Sequence, residues 1–595
     1  MFVGCVALAT SCDLTENVQV KADKSMIFGS KSGLELYSNS FYKALPTLKN
    51  GFMQDKMCDV GAVSNTDTFI KQGAYNTETA TSWSWGALKN INYFIDGCND
   101  PKYCTVDDNT RDNYLGIARW FRAWFYYDKL TTYGEVPWFP HDIQSYQNDV
   151  MYKDRDSRDV IIRNLIADLD FAYEHIQATS STGSATLTRW AAAALKSRVC
   201  LFEAAYRRYH NLTELEITPE ELYREAAKAA KLVIDNSGCS LNTATGKKGA
   251  YRDLFYNETP LTQEVILAVC ANEKSGIFGE QNWWFNARSY GLCWSLVRSF
   301  VHTYLKLDGT PFTDAADYAV KSFTEEMEGR DLRLEQTVRG RNFLWDGKTA
   351  VADIKNLSLT GYQVIKYTLD ESKYDGGAKN INSIPLIRYA EVLLNYAEAQ
   401  AELGLITDSE WALTVGALRK RAGITGGTET LPTTVDSYLQ STFYPDVNSP
   451  VLLEIRRERA IELVAEGMRF DDLRRWKCGS LMETLPWTGI HIPGLEQPVD
   501  VNGDGVNDYY FTEGEVASAP AAYKNIAVRV NQDGVGLYAE ANAVAGYDLV
   551  YKTGAGDRYW YPDGRQYLYP IPAKVIRDYR NAGYTISQNP EWDNE

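Results

Sequence analysis

Histidine is nearly missing from this chain: His141, His175, His210, His302 and His491 are all there is among 595 residues. No two stand at metal-ligand spacing, which excludes a histidine-rich metal centre. Proline is sparse at 19 and glycine ordinary at 43, so collagen-like and low-complexity architectures are excluded too. Basic residues are outnumbered, 61 Lys+Arg against 78 Asp+Glu, and the net charge of −17 argues against a nucleic-acid partner held through phosphates. Beyond the first residues no apolar run reaches ~18 residues, so no transmembrane helix is expected. The enzyme signatures G-x-S-x-G, G-x-x-x-x-G-K-[ST], G-x-G-x-x-G and H-E-x-x-H do not occur, and no catalytic residue is assigned. A glycoside hydrolase needs only two carboxylates at no fixed spacing, and 78 acids leave that class open. What is abundant is flat, half-polar surface: 15 Trp and 39 Tyr in a chain that is 45% hydrophobic and 23% charged, the profile of a globular protein.

Residues 1–11 (MFVGCVALATS) are apolar and small and run directly into Cys12. Ala9, Thr10 and Ser11 before a cysteine are what a bacterial lipoprotein signal places there, although the first basic residue is Lys21 and the positive n-region is absent. The expectation is a signal segment over 1–11 and a lipid anchor on Cys12, whose thioether lipid and N-acyl chain supply the two hydrophobic anchors that stable attachment requires. Eight further cysteines remain, with no CxxC pair. Cys98 and Cys104 are close enough for a small disulfide loop in an oxidising envelope, but spacing does not decide it.

Most periodic segments are helical. In 385–404 the residues Leu386, Tyr389, Ala390, Leu393, Leu394 and Ala397 recur at helical spacing, and Gly404 is placed to end the helix. Residues 188–204 are alanine-rich behind a capping Thr188, and 158–177 and 221–236 repeat the style. Small residues on amphipathic helices predict stacked, tetratricopeptide-like hairpins, although no clean 34-residue period is present. Three stretches, 50–82, 238–295 and 478–560, lack helical period and are rich in glycine, asparagine, threonine and aromatics. Long insertions of this kind on a helical frame usually serve function.

Several segments, in order along the chain, resemble the SusD/RagB family of surface lipoproteins. They are the run Gly116 to Asp128 (GIARWFRAWFYYD) with Tyr133-Gly134-Glu135-Val136-Pro137; Leu307 to Pro311; Arg330 to Arg333; Arg388 to Leu394; Arg456 to Arg459 with Glu466 to Trp476 (EGMRFDDLRRW); and Tyr569 to Pro572 with Gln588-Asn589-Pro590. The resemblance covers essentially the whole chain from Cys12, as one domain over 12–595. Its N-terminal part is 12–300 and its C-terminal part 301–595, with an insertion near 478–560. It implies a mainly α fold of four tetratricopeptide-like hairpins beside an irregular, loop-rich lobe. It also implies a non-enzymatic, surface-exposed outer-membrane protein that captures oligosaccharide (in some members peptide) and passes it to a SusC-like TonB-dependent transporter.

The charged stretch 454–476 reads as structural, with local helical pairs such as Glu458 and Glu462 against Arg459. Trp85, Trp120, Trp124 and Tyr127 stand at helical spacing and read as core. Trp83, Trp283, Trp284, Trp294 and Trp345 stand where no repeating face demands them, and Tyr75, with Asn65 and Asp67 as hydroxyl partners, is grouped with them. Flat rings that stack on sugar C–H patches, beside a few amides and charges, are the composition of a glycan site. In the insertion, Asp500, Asn502, Asp504, the Val506 carbonyl and Asp508 match the opening of a calcium loop, with Gly505 at its sharp turn. Phe511 replaces the usual bidentate Glu at position 12, which leaves Glu513 or Glu515 to complete the shell. The same residues also suit an ordinary Asp/Asn/Gly turn. A structural calcium is the expected cofactor.

Overall fold

The computed structural model describes residues 23–49, 53–246, 248–286, 293–552 and 557–593. The proposed anchor, Cys12, lies outside them. The helices that carry the frame and the site are α1 (Gly86–Asn99), α2 (Asp108–Tyr133), α3 (Arg158–His175), α4 (Arg189–Tyr209), α5 (Pro219–Asn236), α6 (Gln281–Asn286), α7 (Tyr389–Glu402), α8 (Pro450–Glu462) and α9 (Arg469–Arg475). Asp107, Ser157, Thr188 and Thr218 cap four of them by accepting first-turn amides, and Thr218 and Glu221 close a capping box behind Pro219. Helix α1 packs on α2, α2 on α3, α3 on α4, α4 on α5, α5 on α7 and α7 on α8. Ala191 to Ala194 are buried in this stack, where a side chain of one carbon lets helix axes approach closely. The frame is therefore the stacked helical architecture expected.

Three local readings need correction. Residues 384–388 are a strand, and the helix begins only at Tyr389; Pro385 and the β-branched Ile384 and Ile387 favour extended backbone there. Gly404 does follow the helix end in left-handed backbone (φ +69°), as placed. Trp85 packs against the core, as read, but from the position before the first residue of α1 rather than from its face: it is half-buried, with its ring 5.2 Å from that of Phe139 and 5.6 Å from Phe125. Trp120 is fully buried, whereas Trp124 stacks on it at 5.4 Å and stays half-buried, as does Tyr127. Cys98 and Cys104 are both free thiols.

The strands are short: β1 (Gly61–Ala62), β2 (Val265–Val269), β3 (Ser295–Leu296), β4 (Leu344–Trp345), β5 (Lys348–Thr349), β6 (Ile384–Arg388), β7 (Thr488–Ile492), β8 (Pro498–Val499), β9 (Tyr509–Thr512), β10 (Ala527–Arg529), β11 (Leu537–Ala541) and β12 (Tyr547–Tyr551). Strands β1 and β3, β2 and β6, and β4 and β5 form antiparallel pairs. The stretch 478–560, read as irregular, holds two three-stranded sheets in the orders β10-β9-β8 and β11-β12-β7. It is no appendage. Ile490, Val499, Phe511, Val528 and Leu549 share one core with Trp294, Leu296 and Phe300, separate from the core of the helical frame.

Buried ion pairs tie the frame to this second core. Glu458 accepts from Arg333 at 2.5 Å and Arg419 at 3.1 Å; Glu462 accepts from Arg333 at 2.7 Å, Arg388 at 2.6 Å and also Arg421. Glu264 takes Arg388 and Arg421, both at 3.1 Å, and Glu466 takes Arg388 at 2.6 Å and Lys366 at 2.7 Å. The stretch is structural, as read, and it holds the local pairs Arg457–Glu454, Arg474–Asp471 and Arg475–Asp472, but Glu458 and Glu462 do not pair with Arg459. Arg459 turns to Asp472 at 2.9 Å, and the two glutamates, one helical turn apart on α8, face cations from distant segments.

Candidate functional site

The predicted aromatics divide into three environments. Trp294 belongs to the core: it is 3% exposed, donates its indole N–H to the Asp55 carbonyl at 3.3 Å, and lies flat against Gly61, where a Cβ would stand 2.4 Å from the ring. Its assignment to the ligand platform is wrong. Just after it the chain runs as the short strand β3 (Ser295–Leu296), which has no helical period, and the ring is packed rather than free. Trp83 and Tyr75 lie elsewhere, in aromatic contacts at the edge of the helical frame. The Trp83 ring meets Trp85 at 5.3 Å and Tyr133 at 4.9 Å, and the Tyr75 ring meets Phe69 at 5.1 Å and Tyr569 at 5.7 Å. Burial pushes the Tyr75 hydroxyl pKa up. Asp67 caps the next turn through the Phe69 amide at 3.0 Å and pairs with Lys56 at 2.5 Å, and Asn65 is exposed.

Trp283, Trp284 and Trp345 are gathered around one loop, residues 370–380. Trp283 and Trp284 sit side by side on α6, half-buried, with ring centres 5.5 Å apart. The same short helix presents Asn282 and Asn286, one turn apart, and both donate to Asp375 Oδ1, at 3.1 and 3.2 Å. A side chain at Gly377 would touch the Trp283 ring. Trp345 stands on the β4–β5 hairpin, which is tied to the same loop: the Asp346 amide donates to the Asp370 carbonyl at 3.0 Å, and the Ser372 amide to Asp346 at 2.9 Å. Between the two lies Arg339. Its guanidinium is 5.2 Å from the centres of both Trp345 and Phe343, and its amide bonds Gln363, whose side chain donates to Asn286 at 3.0 Å.

The polar groups of this cluster are poised rather than saturated. Burial pushes the Asp375 carboxyl pKa up, opposed by the two asparagine amides and by Arg339. Burial lowers the pKa of Arg339, 6% exposed, whose Nε meets no acceptor among the described residues. The Trp284 indole N–H is likewise buried without an acceptor among the described residues. On the far side of the hairpin a cavity of about 480 Å³ is lined by Arg252, Tyr256, Phe343, Leu344 and Asp370. The arrangement of planar rings, an amide, a carboxylate and a guanidinium can stack a ring-shaped polar ligand and bond its substituents. Sequence reading missed Arg339, Asp375, Asn282 and Asn286. The Asn pair at i and i+4 around Trp283-Trp284 was the available signal; Arg339 and Asp375 reach the cluster only through tertiary folding.

The loop between β8 and β9 forms the turn that its residues favour. Asp500 accepts the amides of Gly503 at 2.7 Å and Gly505 at 2.8 Å, Asp504 that of Val506 at 2.8 Å, and Asp508 that of Val501 at 2.8 Å. The Asn502 side chain accepts the Asp504 amide at 3.2 Å. Burial, then the charges of Asp500 and Asp504, push the Asp508 carboxyl pKa up. Among the described residues no three His, Cys, Asp or Glu side chains are grouped to hold a metal. Glu513 bonds Asn531 at 2.7 Å and Glu515 pairs with Arg529 at 3.0 Å, so neither is turned to the loop.

Residues 263–592, more than half of the chain and including α6, the β4–β5 hairpin, loop 370–380, α8 and α9, match the family model described as SusD family. The chain belongs to the SusD family. It is 25% identical over 378 residues to SusD-like protein P38 of Formosa agariphila, an alignment that covers 61% of this chain and 66% of that relative. Among solved structures, the SusD fold of this chain is shared by a SusD-like carbohydrate binding protein of Bacteroides fragilis (TM-score 0.67, 19% identity, covering 93% of this chain and 99% of the other). A second SusD-like protein of the same species matches with TM-score 0.64 and 20% identity, covering 96% and 98%. At these identities the structures establish the fold, which extends to the upstream SusD-like segment Gly116 to Pro137. Among the described residues no helix is long and apolar enough to cross a membrane.

Proposed function

We propose that this SusD-family chain binds oligosaccharide on the platform formed by Trp283, Trp284 and Trp345, with Asn286, Asp375 and Arg339 bonding the sugar substituents. The observation that carries the reading is the gathering of these rings from two separate segments around one loop. It is supported by the fold neighbour from Bacteroides fragilis that is a SusD-like carbohydrate binding protein. Trp83 and Tyr75 contribute, on this reading, only where a long ligand extends to the frame edge. The competing enzyme class differs in its product. Incubated with a panel of plant, algal, mucin and bacterial glycans beside peptide pools, the protein is expected to retain glycan and release no reducing ends. Retention of peptide alone, or sugar release, overturns the reading.

Delivery to a SusC-like TonB-dependent transporter and attachment to the outer membrane through lipid on Cys12 belong to the same proposal. The net charge of −17 repels anionic lipid surfaces, so nothing but acyl chains would hold the protein there. Cys12→Ala is expected to move the protein to the soluble fraction in cells lacking the transporter, and continued membrane fractionation sinks the anchor.

A structural calcium in the β8–β9 loop is a further proposal. The clustered charges of Asp500, Asp504 and Asp508 favour a divalent cation, which would take oxygens now held by loop amides, together with Asn502 and the Val506 carbonyl. Chelator is then expected to lower the melting temperature of the wild type and leave that of Asp504→Ala unchanged. A curve indifferent to calcium and chelator leaves the turn alone.

A further inference from the structure

Arg339 is built unlike most of the buried arginines; like Arg456, which lies against the rings of Tyr209, Tyr444 and Trp476, it has no carboxylate at ion-pair distance among the described residues. Arg122, Arg198, Arg298, Arg469 and Arg475 each face a carboxylate at ion-pair distance. Arg330 directs its donors at the carbonyls of Val301, Tyr304 and Glu326, at 2.7 to 2.9 Å. Arg339, equally buried, bonds one carbonyl, that of Val351 at 3.0 Å, and among the described residues no carboxylate stands within ion-pairing distance. A cation held out of water without a counter-charge is costly, and a buried unsatisfied donor in a folded protein needs a reason.

The neighbouring acids do not supply one. Asp370 is paired with Arg252 at 2.5 Å, Asp375 is held by Asn282 and Asn286, and Asp353 accepts the amide and side chain of Asn356. All three act on Arg339 through space without closing its fork. The guanidinium lies against Trp345, a ring of the platform, and its Nε has no acceptor among the described residues, so an anion settling at the edge of that ring would have a donor to meet.

We propose that the ligand of this platform is an acidic glycan, and that Arg339 receives its carboxylate or sulfate group. The inference rests on the glycan reading above and names the class of sugar. A guanidinium presents paired N–H donors that match either acid, so the shared chemistry is a planar or tetrahedral oxyanion on a sugar ring.

The test uses matched pairs on the full chain: polygalacturonate against its fully methyl-esterified form, and κ-carrageenan against its desulfated form, by affinity electrophoresis and calorimetry. The wild type is expected to bind one acidic member at least tenfold more tightly than its neutral partner, and the pair that shows the preference identifies the acid. Arg339→Gln should lose that preference, and Arg339→Lys should keep part of it. Equal binding within both pairs, no binding to either, or a preference that survives in Arg339→Gln overturns the inference. If the preference is lost in Arg339→Gln but kept in Trp283→Ala and Trp345→Ala, the anion site stands and the aromatic platform falls. Arg339→Lys, with charge retained, guards against a Gln variant that merely fails to fold.

Discussion

Glu462→Ala is expected to destabilise the chain by about 3–5 kcal/mol, enough to leave much of it unfolded at moderate denaturant. The carboxylate stands among Arg333, Arg388 and Arg421, all buried, and its removal takes a shared counter-charge from three guanidinium groups, leaving Arg421 with Glu264 alone, itself shared with Arg388. Their charges hold the Glu462 pKa well below the usual 4.5 against the opposing effect of burial, which is the largest single influence on it. A depressed acid contributes stability that is complete above its unfolded pKa and is lost as pH falls below it. The wild type should therefore weaken below about pH 4.5, and Glu462→Gln should flatten part of that acid limb. An exposed pair such as Lys552–Glu540, half open to solvent on both sides, should matter by about 0–1 kcal/mol when Glu540 is replaced. Urea melts followed by circular dichroism distinguish the two; equal midpoints for Glu462→Ala and wild type would show that the network does not hold the lobes.

The second expectation is a separation of the tryptophans by what each loses. Trp294→Ala removes a ring packed against Gly61 and bonded to the Asp55 carbonyl, and should cost about 3–5 kcal/mol in stability through the cavity left behind. Glycan affinity in the surviving folded fraction should be near normal. Trp283→Ala and Trp345→Ala should do the reverse, weakening glycan binding tenfold or more while the melting curve shifts little; stacking on a ring is worth about 1–3 kcal/mol where it has been measured for nucleobases. Loss of affinity in Trp294→Ala without loss of stability, or unchanged affinity in both platform variants, would place the ligand elsewhere.

Where sequence reading succeeded, the information was local. Thr188 marks a helix start and Gly404 a helix end because caps and left-handed glycine act within one turn of chain, and Ala191 to Ala194 read as close packing from composition alone. Where it failed, the deciding contact came from far away. Trp294 looked free because its neighbours lack a period, yet Gly61, more than two hundred residues upstream, is what its ring covers. Glu458 and Glu462 looked like partners of Arg459 because all three lie on one helix, while the cations they meet arrive from residues 333, 388, 419 and 421. The insertion hid its strands because each is short and separated by glycine-rich turns, although Tyr509–Thr512 and Tyr547–Tyr551 carry the aromatic and β-branched residues that strands favour. Half of the candidate site was visible as unexplained tryptophans; Arg339 and Asp375 had no pattern of their own.

Because strands β7 to β12 pack into the second core, the excursion from 478 to 560 is a wall of the molecule with rigid footings and protruding tips. Val506 and Val544, 63% and 71% exposed, mark two of those tips, one in the β8–β9 loop and one in the β11–β12 turn. The two turns rest on neighbouring stretches of chain: Thr324 Oγ1 donates to the Val501 carbonyl at 3.0 Å, and Asn542 to the Ala319 carbonyl at 3.1 Å. A fluorophore pair attached at these valines would sit on firm ground outside the hydrophobic interior. The spacing between the dyes would then serve as a ruler for how far this wall shifts when a ligand or a larger assembly engages the protein.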